Sequence, residues 1–254
     1  MKMEELFPHT FKALRQQTAA QRAEGRRWWQ QRQGTASDFC RAMVANGYLT
    51  DSQVQQAAQR YRLGVGRDGA VIFWQIDDCD LLRDGKIMHY RPDGHRDHDR
   101  KPTWASYLMR RSGRLPRQWN ADHCLFGLHL LAADAASLTA DGAARAATVC
   151  VVEAEKTAVI MSALKPDCLW LATGGKTELS VARLSPLQGR RIILFPDTDE
   201  TGQTYRDWYA IAEAAAGVFG HPVTVSSILE QRATADQRAA KIDIADLLFR
   251  NERE

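Results

Sequence analysis

Residues 190–202 read RRIILFPDTDETG, and this stretch decides how the second half of the chain is interpreted. The apolar run at 192–195 is typical of a short strand that is buried on both faces of a parallel sheet. Asp197 and Asp199 follow at once, where open α/β sheets bind their ligands. Two carboxylates this close repel each other unless a cation lies between them, and Mg²⁺ is a hard cation that oxygen ligands favour. The simpler alternative is a solvated acidic loop that caps the next helix.

Strand and helix patterns alternate around this stretch. The β-rich segments are TVCVV at 148–152, CLWLAT at 168–173, RIILF at 191–195 and PVTVSSI at 222–228, and helical patterns cover 156–164 and 203–218. This order predicts a parallel sheet with helices on both faces. KIDIADLLF, at 241–249, predicts a final turn and helix.

The first half of the chain has a different character. Its first 62 residues are rich in Gln, Ala and Arg and predict several helices, with Gly25 and Gly34 expected to separate them. VIFWQID at 71–77 and KIMHY at 86–90 predict an antiparallel hairpin with its turn at 83–85.

The sequence therefore predicts an α/β protein in three parts. They are a helical region at 1–62, a smaller α+β part with a β-hairpin and a connection at 63–145, and an α/β domain at 146–254.

Composition is that of an ordinary globular protein, with 44% hydrophobic and 26% charged residues. No apolar run approaches the ~20 residues that a membrane helix needs. The amino-terminal segment lacks an apolar signal core, and the five cysteines contain no CxxC pair. We therefore expect a cytoplasmic protein with reduced thiols and no membrane partner.

Basic residues are concentrated in one segment. The net charge is only +3, but between residues 91 and 117 arginines and lysines outnumber acidic residues by eight to three. Such a stripe is either a solvated surface or a surface for a phosphate backbone. The candidates for nucleic-acid binding within it are Arg96, Arg100, Lys101, Arg110, Arg111 and Arg114.

Four aromatic residues, Trp74, Tyr90, Trp104 and Trp119, are interleaved with these cations. Aromatic rings beside cations suit single-stranded nucleic acid, because bases stack and phosphates pair. They equally suit the core of a small domain, and the sequence leaves both interpretations open.

Acidic residues follow three of the predicted strands. Glu153 follows the first, Asp197 and Asp199 follow the third, and Asp243 and Asp246 lie beyond the fourth. Because parallel strands bring their carboxyl ends to one edge, these carboxylates are expected to converge. A carboxylate cluster that holds Mg²⁺ or Mn²⁺ is what phosphoryl and nucleotidyl transfer requires.

A glycine-rich loop follows the second strand. Its backbone amides are able to approach a phosphate, with lysines nearby, although a plain tight turn explains the loop equally well. The candidates for phosphate or nucleotide binding are Lys156, Thr173, Gly174, Gly175 and Lys176.

These parts together resemble a toprim domain, the Mg²⁺-binding α/β unit of bacterial-type primases, of type IA and II topoisomerases and of some nucleases. VVEAEKTA carries Glu153, PDTDETG carries Asp197 and Asp199, and KIDIADLL carries Asp243. The resemblance implies a Rossmann-like parallel sheet with flanking helices. It also implies that the first three acids are catalytic and that all four bind Mg²⁺ or Mn²⁺.

The resemblance extends upstream, because CLFGLHLL at 124–131 is similar to the segment that leads into toprim in bacterial primases. It is greatest for a toprim-like primase family of mobile elements. It implies primase-like synthesis of oligonucleotides from nucleoside triphosphates on single-stranded DNA. No cysteine set matches a primase zinc module and no helicase motif is present, so a separate helicase is an expected partner. A toprim endonuclease, or a non-catalytic accessory that binds single-stranded DNA, remains an alternative.

The spelling DTDET at 197–201 also matches DxDxT, in which dehalogenase-type phosphatases use the first Asp as a nucleophile. That fold places the motif on its first strand, whereas at least two predicted strands precede it here. The phosphatase interpretation also leaves Glu153 without a role, so toprim is favoured.

Overall fold

The computed structural model describes residues 19–115, 119, 121–132, 134 and 147–251. The helices predicted before residue 19, most of the connection at 120–145 and Arg117 lie outside these residues. The chain divides into two compact units, Met1–Ala132 and Ala133–Glu254, called here the amino-terminal and carboxy-terminal units. The three-part division stays a prediction.

The amino-terminal unit combines helices with one antiparallel sheet. Its elements are α1 Ala19–Arg32, α2 Asp38–Ala45, α3 Asp51–Arg60, β1 Gly64–Val65, β2 Val71–Ile76, β3 Leu82–Met88, β4 Thr103–Trp104 and α4 Ala105–Arg111. The strands are hydrogen-bonded in the order β1-β2-β3-β4. The predicted hairpin is confirmed, and one short strand is added at either edge.

The carboxy-terminal unit contains the parallel sheet. Its elements are β5 Thr148–Val152, α5 Glu155–Leu164, β6 Cys168–Ala172, α6 Val181–Leu184, β7 Ile192–Phe195, α7 Gln203–Phe219, β8 Val223–Val225, α8 Ile228–Arg232, α9 Ala235–Ala239 and α10 Ile244–Asn251. All neighbouring strands are parallel, in the order β6-β5-β7-β8. The predicted α/β sheet with flanking helices is confirmed.

Burial differs between β5 and β7, the two inner strands of this sheet. The inner strand β5 is buried from Val149 to Val152, as a strand covered on both faces should be. In β7, buried Ile192 and Leu194 alternate with half-buried residues, so its second face is less covered than the apolar run predicts.

The hairpin turn lies at 77–81 and not at the predicted 83–85. The carboxylate of Asp77 accepts hydrogen bonds from the backbone N–H groups of Cys79 and Leu81, both at 2.9 Å, and thereby fixes the turn. Gly85 lies within β3, opposite Trp74, where a Cβ atom would come within 2.4 Å of the Trp74 ring. The glycine is therefore needed for a close approach and not for a turn.

Gly25 was also expected to separate two helices, but it lies inside α1. A Cβ atom there would come within 2.9 Å of the Leu82 Cβ, so the glycine lets α1 approach β3 closely. Gly34 does follow the end of α1, as predicted.

Three of the four interleaved aromatic residues belong to the core. Trp74, Tyr90 and Trp119 are at most 9% exposed, and Trp119 stacks on Trp28 at 4.8 Å between ring centroids. The core interpretation is therefore correct for these three. Trp104 is half-buried.

Among the described helices, none combines the length and the apolar character that crossing a membrane would require.

Asp77 also forms a buried ion pair with Arg83, whose Nε and Nη2 lie 2.8 and 2.6 Å from Asp77 Oδ2. The Asp77 and Arg83 side chains are 1% and 0% exposed.

We expect Asp77→Ala to lower the free energy of unfolding by about 3–5 kcal/mol, because it breaks the buried ion pair with Arg83. Urea unfolding measures this loss. The matched surface variant Arg27→Ala, which breaks the exposed pair with Glu24, should cost below about 1 kcal/mol. Equal losses in the two variants would contradict the prediction.

Candidate functional site

The carboxyl ends of the parallel strands form one edge of the sheet. Val152 is the register partner of Ala172 in β6 and of Phe195 in β7, so the three strands end at the same level. The pairing continues past the strands, because the N–H of Gly174 donates to the carbonyl of Glu153 at 2.9 Å. The sheet register therefore places the segments that carry Glu153 and Asp197 side by side.

Asp197 lies within a field of negative charge. Burial of its carboxyl among protein atoms raises its pKa well above the ordinary value, and the charges of Asp243, Glu153 and Asp246 raise it further. The ammonium group of Lys156 acts in the opposite direction. Like charges that are held together disfavour ionisation, which is the usual signature of a carboxylate cluster. Of the predicted acids, Glu153 and Asp243 thus lie near enough to Asp197 for their charges to act on it.

Asp243 is held in position by α10 and α5. Its Oδ1 accepts a hydrogen bond from the N–H of Asp246 at 2.8 Å, which caps the first turn of α10. Its Oδ2 accepts a hydrogen bond from the hydroxyl of Thr157 in α5. The N–H of Thr198 donates to the Ile242 carbonyl at 3.1 Å and ties the loop after β7 to the segment before α10. Burial and then the charge of Asp246 raise the pKa of Asp243.

Lys156 is the cation within the cluster. Its side chain is 12% exposed, and its Nζ lies 4.0 Å from Asp246 Oδ1. The lysine was predicted to contact phosphate, and in the structure it faces carboxylates.

Sequence reasoning did not single out Thr157, and it left Asp246 outside the chosen set. The spacing of Asp243 and Asp246 is that of an N-cap and its N3 residue, which was a usable signal. No sequence pattern marks Thr157, because its contact spans 86 residues.

Asp199 has a different environment from Asp197. Its Oδ1 accepts hydrogen bonds from the N–H and hydroxyl of Thr201 and from the N–H of Gln203, and its Oδ2 accepts two from the N–H and hydroxyl of Thr204. Burial acts to raise its pKa, but these hydrogen bonds, those of Thr204 first, lower it far below the ordinary range. Asp199 therefore anchors the start of α7, as the capping alternative predicts, with Lys176 Nζ 4.0 Å away.

The amides of the glycine-rich loop already have acceptors within the protein. The N–H of Thr173 donates to Val152, that of Gly174 to Glu153, and that of Gly175 to the Thr173 hydroxyl at 3.4 Å. Lys176 is 50% exposed on the same loop. Lys176 is therefore the loop residue best placed to meet a phosphate from solvent.

The predicted nucleic-acid-binding residues all belong to the amino-terminal unit, and all six are exposed. Arg96, Arg100 and Lys101 lie in the loop between β3 and β4, where Arg100 Nε is 3.6 Å from Asp97. Arg110 and Arg111 end α4, and Arg114 lies three residues after its end.

A family model described as "Domain of unknown function (DUF6371)" matches residues 37–198. No curated protein matches the sequence. A solved structure, described as the primase fragment of the bacteriophage T7 primase-helicase protein, is similar, with 17% identity and a TM-score of 0.40. The match covers 67% of this chain and spans 59% of that fragment, less than two thirds of its length. The toprim assignment stays a prediction.

We expect Asp197→Asn to stabilise the protein in EDTA at pH 8. A carboxyl with a raised pKa binds its proton more tightly in the folded than in the unfolded chain, so stability falls as the pH rises above its ordinary value of 3.8. Removing the charge should raise the melting temperature by about 2–4 °C, the shift that about 1 kcal/mol produces at this chain length. The gain should shrink as the pH falls towards 4. A lower melting temperature than that of the wild type at pH 8 would contradict the prediction, and Glu213→Gln, on the exposed face of α7, is the control.

Asp199→Ala should have the opposite effect on stability, with a loss of about 1–2 kcal/mol from the uncapped start of α7. The pKa of Asp199 is lowered in the folded state, so its contribution is complete above the ordinary value of 3.8 and is lost as the pH falls through the folded value. Urea unfolding in EDTA at pH 7 and again below pH 3 measures both effects. Undiminished stability at pH 7 would show that the five hydrogen bonds do not anchor the helix.

Proposed function

We propose that this chain, which belongs to the family described as "Domain of unknown function (DUF6371)", is a Mg²⁺-dependent enzyme of nucleotidyl or phosphoryl transfer on nucleic acid. Its most favoured activity is primase-like synthesis of oligonucleotides on single-stranded DNA. The observation that carries the proposal is the cluster of Asp197, Asp243, Glu153 and Asp246 at the carboxyl edge of the parallel strands. Open α/β sheets bind their ligands at this edge, so the cluster lies where a reaction site is expected.

The donor set fits a hard divalent cation. Burial and then the neighbouring negative charges raise the pKa of Asp197. A cation that prefers oxygen ligands, such as Mg²⁺ or Mn²⁺, would relieve the repulsion among these carboxylates. Asp197, Asp243 and Glu153 are the residues that would hold the ion. Asp199 was predicted to share in this, but its hydrogen bonds favour an anchoring role beside the site.

When bound, the metal would neutralise the charge that develops on phosphate and would activate the attacking oxygen. The chain contributes the geometry. Thr157 and the first turn of α10 fix the Asp243 carboxylate, and Lys156 balances negative charge from within. Glu153, half-buried at the strand end, is the candidate base for the proton of an attacking hydroxyl. Lys176 would contact a triphosphate as it arrives from solvent.

The substrates follow from the resemblance to toprim primases and from charge. The site would take nucleoside triphosphates, and the exposed basic residues of the amino-terminal unit would hold the single strand through its phosphates. Replication of a mobile element with a separate helicase is the setting that the resemblance suggests. Endonuclease cleavage would use the same carboxylates, and a non-catalytic accessory would bind DNA without needing them.

One experiment separates these three activities. The purified protein is incubated with single-stranded DNA labelled at its 5′ end, labelled ribonucleotides and Mg²⁺ or Mn²⁺. We expect new oligonucleotides, at least about a hundredfold fewer with Asp197→Asn, because metal ligands of such sites supply several kcal/mol of transition-state stabilisation.

The matched control is Glu213→Gln, which removes a carboxylate from an exposed position of α7 and should retain activity. Shortening of the labelled template by the wild type but not by Asp197→Asn would show nuclease activity in place of synthesis. Binding of DNA with neither product, and without any uptake of Mn²⁺, would overturn the catalytic proposal.

A further inference from the structure

A cavity of about 190 Å³ opens on the amino-terminal unit beside the start of α4. The residues that give it chemical character are Asp84, Trp104, Ser106, Tyr107, Arg110 and His123. They come from β3, from the junction of β4 with α4, and from the segment after residue 120. The cavity is therefore built by tertiary contacts and not by a single loop.

A buried carboxylate organises the cavity wall. Asp84, whose side chain is 1% exposed, accepts hydrogen bonds from the N–H of Gly85 at 2.7 Å and of Ser106 at 2.9 Å, and from the Ser106 hydroxyl. His123 Nε2 lies 3.3 Å from Asp84 Oδ2. A carboxylate accepts hydrogen bonds, so the contact with His123 Nε2 orients the imidazole ring at the cavity wall.

Flat rings form the rest of the wall and the rim. Trp104 stacks on His123 with 3.9 Å between ring centroids and 25° between the planes. Tyr107 is 53% exposed, an unusual state for a large aromatic residue, and the Arg111 guanidinium lies 5.8 Å from its ring centroid. These rings offer stacking surfaces to a flat ligand. Of the four aromatic residues interleaved with cations in the sequence, Trp104 is the one that is not buried in the core.

Three arginines lie on or just after α4, the helix that contributes Tyr107 to the cavity. Arg110 lines the cavity, Arg111 follows it on α4, and Arg114 lies just beyond the helix, all of them exposed. A ligand with a flat ring and a chain of negative charges would match this sequence of features.

We propose that this cavity binds one unstacked base of a single-stranded nucleic acid, while Arg110, Arg111 and Arg114 hold the adjoining phosphates. This inference rests on the proposed function, because it specifies how the amino-terminal unit holds the single strand. The base stacks against Tyr107 and the Trp104–His123 pair. A single strand is favoured over a free nucleotide because Arg111 and Arg114 are exposed cations close in the chain to Arg110 and outside the cavity lining.

The test measures binding of two labelled strands of equal length, one with bases and one abasic, by fluorescence anisotropy in EDTA. The full chain is used as wild type, Tyr107→Ala and Leu108→Ala. Leu108 is the matched control because it is 42% exposed on the same helix and does not line the cavity. We expect the wild type to bind the strand with bases more tightly than the abasic strand. Tyr107→Ala should lower the affinity for the strand with bases about fivefold or more. Binding of the abasic strand should not change.

Each other outcome has a definite meaning. Equal affinity of the wild type for both strands, or Tyr107→Ala behaving like Leu108→Ala, overturns the base cavity and leaves the proposed function standing. Competition by a free mononucleotide as effective as that of the strand assigns the cavity to nucleotides and also overturns it. If the wild type binds strands in a base-dependent way but gives neither oligonucleotides nor cleavage and takes up no Mn²⁺, the proposed function alone is overturned. If the wild type binds no single strand, both proposals are overturned. Unchanged melting temperatures show that the exposed substitutions leave the fold intact.

Discussion

The parallel pairing of β5 with β6 and β7 is the constraint on which the carboxy-terminal unit depends. Because Val152 is level with both Ala172 and Phe195, whatever follows these strands is delivered to the same edge. Glu153 and Asp197 meet there although 44 positions separate them in the chain. The N-cap of α10 then adds Asp243 from another segment, so a single sheet register assembles a cluster from three distant stretches.

The two aspartates of DTD show how environment divides neighbouring carboxylates. Burial and then the neighbouring acids raise the pKa of Asp197, whereas five hydrogen-bond donors lower the pKa of Asp199. Asp197 thereby has like charges nearby, whose repulsion a cation would relieve, whereas Asp199 stabilises the helix that follows. A hydrogen-bonded anchor at Asp199 is therefore compatible with a carboxyl of raised pKa two residues upstream.

Local patterns predicted the elements well and the exceptions have a common cause. The strand–helix alternation after residue 147 and the two strands of the hairpin follow from short-range periodicity. Gly25 and Gly85 were misjudged because glycine serves both turns and close approaches, and only the neighbours Leu82 and Trp74 distinguish the two. The same holds for the aromatic residues, whose burial depends on distant partners.

The sequence by itself determined the class of fold and the residue types that the carboxyl edge would carry, because apolar periodicity and acids at strand ends are local properties of the chain. Only the tertiary structure decided what each of those acids does. Hydrogen bonds from Thr201, Gln203 and Thr204 hold the Asp199 carboxylate at the start of α7. Hydrogen bonds from Thr157 and Asp246 hold the Asp243 carboxylate, whose charge acts on Asp197. The physical reason is that a carboxylate's role depends on the charges and donors within a few ångströms, and folding brings these from segments that the local pattern does not connect.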